Sequence, residues 1–205
     1  DGKEAAKKVD AAKKKADLAA LQKQRVAQPP NASRGSLAWP KTVIVLNATV
    51  WTCGPAGRLE GVDVRFNNGK VESISKHPSV SKEALARLHV SSDTIVIDAT
   101  GKHLTPGLID CHSHTAILGG VNEGSIPSSA MCRIADVINS ETANLHQQLA
   151  GGLTVANLLH GSANPIGGQN AVIKLRDGAT PEGLKFADAP PGIKFALGEN
   201  VKQSN

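Results

Sequence analysis

LTPGLIDCHSHTA, residues 104–116, is the stretch on which the reading of this chain turns. A Pro-Gly pair opens it, an apolar step through Leu108 and Ile109 follows, and Asp110, His112 and His114 then stand two residues apart. Side chains alternate between the two faces of a strand, so on a strand these three share a face and Cys111 points away. Two imidazoles at that spacing can hold one cation from one side, and a neighbouring carboxylate can orient a ring nitrogen from behind. A bare HxH pair also arises as two surface or packed histidines. The residues around it therefore have to carry the argument.

Upstream, the period is that of strands. KTVIVLNATVWT (41–52) is rich in Val, Ile and Thr, a turn at CGPAG follows, and GVDVRFNNGKVESISK (61–76) reads as two strands around Asn67, Asn68 and Gly69. A short helix is expected over 81–89, and DTIVIDATGKHLTPGLIDCHSHT (93–115) returns to strand with a turn at 99–102. Downstream the texture becomes that of βα units. MCRIADVINSETANLHQQLAGG (131–152) reads as a helix ended by a Gly pair, LTVANLLH (153–160) as a buried strand, and GSANPIGGQ (161–169) as a Gly-rich loop. AVIKLR (171–176) and GIKFALGEN (192–200) are two further strands. TVANLL, AVIKL and IKFAL lack polar alternation, so each is expected to be covered on both faces.

Composition narrows the class. With 40% hydrophobic residues in 205, the chain can bury a core, while three Phe, two Trp and no Tyr disfavour an aromatic base-stacking surface; no nucleic-acid partner is expected. The net charge of +5 is concentrated in residues 1–29, where eight Lys and Arg face four Asp and Glu. That stretch, rich in Ala, Lys and Gln, reads as a basic helical or disordered tail, solvated or docked on a partner subunit or anionic surface, and Pro29 and Pro30 open a linker to residue 37. Three widely spaced cysteines encode neither a disulfide framework nor a zinc knuckle. No apolar run reaches the roughly 18 residues of a transmembrane segment, and the absence of an initiator Met leans towards an exported, periplasmic protein.

VIDATGKHLTPGLIDCHSHT resembles the first barrel strand of the amidohydrolase superfamily. The segment VDVRFNNGKVESI is similar to the small β-sandwich that members build beside the barrel, and GGLTVANLLHGSANPIGGQNAVIKLR resembles the imidazolonepropionase-like or prolidase-like branch. The resemblance implies a β-sandwich segment over 38–105, then, over 106–205, the first half (strands 1–4) of a TIM-like (β/α)8 barrel. It implies one or two divalent metal ions, zinc above all, and hydrolysis of amide or other C–N bonds by a metal-activated water.

In that family the HxH pair, here His112 and His114, binds the first metal, and a carboxylated Lys or a Glu from strand four bridges two. Counting LIDCHSH, TVANLLH, AVIKLR and IKFALGEN as strands one to four makes Glu199 the bridging candidate, with Lys174 as the alternative. Glu199 has a competing role as the cap of a following helix. Asp110 stands behind the ligands, and His160, Asn164 and Gln169 are candidates for contact with ligand groups, substrate or a neighbouring loop.

Only 94 residues run from His112 to Asn205, against about 250 for a closed barrel. The remaining His ligands and the Asp that serves as base have no place here. The expectation is therefore an amide-hydrolysing hetero-oligomer completed by a second polypeptide carrying strands five to eight. The alternative is a non-catalytic, structural or metal-binding subunit.

Overall fold

The computed structural model describes residues 40–78 and 93–204, together with Lys13 and Ala16. Apart from Lys13 and Ala16, the expected tail helix, its linker and the helix over 81–89 lie outside the described residues. The chain divides into two compact units, residues 1–36 and 37–205. Every described strand belongs to the second unit.

The first part of that unit is one mixed sheet, ordered β3-β2-β1-β4, built from β1 (Thr42–Trp51), β2 (Arg58–Asn67), β3 (Lys70–Lys76) and β4 (Thr94–Asp98), with the short β5 (His103–Leu104) pairing the end of β1. β1 runs antiparallel to β2 and parallel to β4. Asn68 (φ 49°) and Gly69 (φ 74°) make the tight turn between β2 and β3, two left-handed residues of the kind a two-residue hairpin needs. Val45, Ala48, Val50, Val62, Val64 and Ala99 form the core on one side of this sheet. At Asn47 (φ 52°) the register slips, and the Asp63 carboxylate accepts from the Asn47 N–H at 2.8 Å while contacting His77 Nδ1 at 2.6 Å. Among the described residues this segment forms a single sheet.

The second part carries the HxH stretch. β6 (Leu108–Ser113) runs parallel to β7 (Leu153–Leu158), and β9 (Ala171–Lys174) runs antiparallel to β7. β8 (Ile166–Gln169) pairs antiparallel with β10 (Ile193–Phe195). Helix α1 (Ala143–Ala150), the single turn α2 (Pro181–Leu184) and α3 (Glu199–Ser204) complete it. Leu145, Ala156, Leu158, Ile173 and Leu184 make a second core.

Three expectations change here. The helix drawn over 131–152 is a 3-10 turn (Ile134–Asp136) followed by α1, because residues 137–139 are tied by a bridge to residues 116–118: Leu118 N–H donates to the Val137 carbonyl at 2.9 Å and Asn139 N–H to that of Ala116 at 2.8 Å. AVIKLR is not a third parallel strand. The connection from β7 carries β8 and no crossover helix, so the chain returns antiparallel. Nor are the late strands covered on both faces: β7 and β9 alternate, and in β10 Ile193 and Phe195 are exposed.

Candidate functional site

β6 delivers the two histidines to one edge of its sheet. Their rings are 5.3 Å apart and nearly perpendicular, and both residues are exposed. His114 Nδ1 donates to the Leu159 carbonyl at 2.8 Å, which leaves the Nε2 lone pair outward. This main-chain acceptor orients the ring from behind in the way a metal ligand is usually held. Asp110 does not perform that task for its neighbour. Its Oδ1 accepts from the His112 backbone N–H at 3.0 Å, bracing the strand end instead of a ring nitrogen.

Facing His112 is a residue that sequence reasoning passes over. Lys194, the middle residue of β10, places Nζ 3.2 Å from His112 Nε2. The ammonium beside the imidazole is the main cause that holds His112 below the usual histidine range, with burial and His114 acting in the same direction and Asp110 against them. A neutral ring is the form that can ligate a cation. A Lys flanked by Ile193 and Phe195 on the fourth predicted strand is the available signal, and drawing that strand on to residue 200 turns attention to its far end.

Glu199 and Lys174 lie elsewhere. β10 stops at Phe195, so Glu199 opens α3, where its carboxylate stands 3.7 Å from Lys202 Nζ. It lines the same shallow groove as Lys194, Ser162 and Asn200. Lys174 sits over the Phe186 ring, Nζ 4.0 Å from the centroid, a cation–π contact.

His160 follows β7 and is half-buried, and burial lowers its pKa below the ordinary value. Its Nε2 lies against Gly168, where a Cβ would come within 2.6 Å of both that nitrogen and the Cys132 carbonyl oxygen; with φ at +130°, the position admits glycine only. Asn164 is buried and donates to Ser129 Oγ at 2.8 Å, and Gln169 Nε2 donates to the Ala130 carbonyl at 3.3 Å. Both therefore tie the Gly-rich segment to the 128–132 loop.

Among the described residues no three His, Cys, Asp or Glu side chains group closely enough to hold a metal ion. The residue types nonetheless suit one: two imidazoles with rings 5.3 Å apart at an exposed strand edge, and a lysine against one of them.

Comparison with known proteins bears on this arrangement. No protein-family profile matches the chain. An amidohydrolase structure from Thermotoga maritima MSB8 superposes with a TM-score of 0.64 at 34% identity, over 79% of this chain and 40% of that one. The chain belongs to the amidohydrolase superfamily. Among curated relatives of this superfamily member, amidohydrolase tasK of Hapsidospora irregularis is 28% identical over 186 residues, 80% of this chain and 19% of that protein. Imidazolonepropionase of Psychrobacter cryohalolentis is 29% identical over 107 residues, 47% of this chain and 24% of that protein. The chain thus spans about a fifth to a quarter of the curated relatives' lengths, and their names support a hydrolase role. No helix of the described residues is long and apolar enough to cross a membrane.

Proposed function

We propose that this chain is part of a metal-dependent hydrolase acting on amide or related C–N bonds, with His112, His114 and Lys194 as its share of the metal centre. The observation that carries the reading is Lys194 Nζ at 3.2 Å from His112 Nε2, on a strand distant in sequence from the HxH pair. His112 and His114 would hold a divalent ion, most simply zinc, through Nε2. Lys194 takes the bridging place expected of Glu199 or Lys174. As a neutral amine it adds to carbon dioxide with loss of one proton, giving a carbamate whose oxygens suit two cations. When bound, the metal supplies an acidified water and polarises the scissile carbonyl.

The chain's own residues do the rest that is visible. The Leu159 carbonyl fixes the His114 tautomer, Asp110 braces the strand end, and the groove from Ser162 to Asn200 lies open beside Lys194 for a substrate. The remaining ligands and the general base would come from polypeptide packing on the exposed apolar residues around the site, Leu108, Ile109, Phe195 and Leu197 among them. Equilibrium dialysis of the 205-residue chain against zinc tests the first part. Binding lost in His112→Ala and His114→Ala supports the reading, and zinc binding unchanged in both sinks it. Hydrolysis of a panel of dipeptides, N-acyl amino acids and cyclic amides by the metal-loaded, completed protein tests the second.

A further inference from the structure

Two asparagines join the segments that carry the site. Asn157, on β7, donates Nδ2 to the Cys111 carbonyl at 3.2 Å, the peptide group immediately before His112. Its Oδ1 accepts from Asn170 Nδ2 at 2.8 Å. Asn170, between β8 and β9, accepts the Gly192 N–H on its own Oδ1 at 2.7 Å and donates its backbone N–H to the Gly192 carbonyl at 3.0 Å. A Cβ at position 192 would press on the Asn170 amide at 3.2–3.3 Å, so a larger residue there would displace that amide by a few tenths of an ångström. Gly192 stands two residues before Lys194. An unbroken amide chain therefore runs from the peptide before His112 to the start of β10.

The ladder bonds of β10 go to β8, in a sheet separate from β6 and β7. Backbone pairing alone thus leaves the register of Lys194 against His112 unspecified. We propose that Asn157 and Asn170 are positioning residues, whose amide relay sets the Lys194 amine against His112. The relay is a claim about this chain's geometry; its bearing on chemistry rests on the proposed metal site.

Nuclear Overhauser contacts in the metal-free 205-residue chain read the geometry directly. The wild type should show contacts between the Lys194 ε-methylene and the His112 ring protons, and Asn157→Ala and Asn170→Ala should lose them while amide signals of the β1–β4 sheet stay in place. Asn170→Asp keeps the acceptor for Gly192 but cannot donate to Asn157, and should behave like Asn170→Ala. Should either alanine variant fail to fold, the isosteric Asn157→Asp, which loses the donation to the Cys111 carbonyl, takes its place. A second readout is cobalt(II) affinity followed by visible absorption: each single variant should bind about tenfold more weakly, the scale typical of residues behind metal ligands. The double variant should be no weaker than the poorer single one, since both break one chain. Contacts that persist in both single variants, or affinity losses that add, overturn the relay. A wild type that binds no cobalt overturns the proposed metal site instead, and the Overhauser contacts still decide the relay.

Discussion

At the scale of single residues, the charge on Lys194 governs the protonation of His112. A cation 3.2 Å from Nε2 disfavours the imidazolium, so the folded chain holds this ring neutral to a lower pH than an ordinary histidine. Replacing Lys194 with Met should raise the His112 midpoint part of the way back to about 6.5, since burial and His114 continue to depress it; ring-proton shifts in the metal-free chain measure this. Zinc affinity should fall at least tenfold in Lys194→Ala and stay within about twofold in Glu199→Ala, measured by competition with a chromophoric chelator. That His112 and His114 stand together at one strand end was legible, because a period of two on one strand is a local property. The approach of Lys194 to His112 was not, because it joins residues 82 positions apart.

Elements were legible in kind more than in extent or direction. The hairpin at Asn68 and Gly69 and the strands of residues 42–113 fall where β-branched runs and turn residues place them. The helix over 131–152 shortened because Val137 and Asn139 give their backbone groups to Leu118 and Ala116, an alternative partner that periodicity does not reveal. The direction of β9 is set by the connection before it, where strand propensity is silent. Gly168→Ala should destabilise the chain by about 1–3 kcal/mol from its backbone conformation alone, with the contact to Cys132 adding to it; urea unfolding reads the loss. Leu145→Ala, which empties a fully buried position of α1, should cost about 2–5 kcal/mol on the same assay.

At the scale of the molecule, two cores share no residue: one lies under the β1–β4 sheet, the other between β6, β7, β9 and the helices. Hydrogen exchange followed by mass spectrometry should therefore resolve two protection groups, with peptides of residues 42–66 and 153–175 exchanging in separate steps. Around the candidate site Ile109 is 71% exposed and Leu197 90% exposed, an apolar surface open to water. The 205-residue chain by itself should bind a hydrophobic dye, and Ile109→Asp should weaken that binding without loss of helix signal. Of the four strands expected to run parallel, β6 and β7 pair as expected and β9 runs against them.

The carbonyl that orients His114 belongs to the main chain of Leu159, whose own N–H is tied to the Ser113 carbonyl at 3.0 Å. A lineage can exchange the side chain at position 159 for any other that packs and leave the histidine's tautomer untouched. Only an insertion or deletion in β7 reaches it. Mutational drift by point substitution is therefore buffered at this position while length change is not, and this contact should outlast the residue that supplies it.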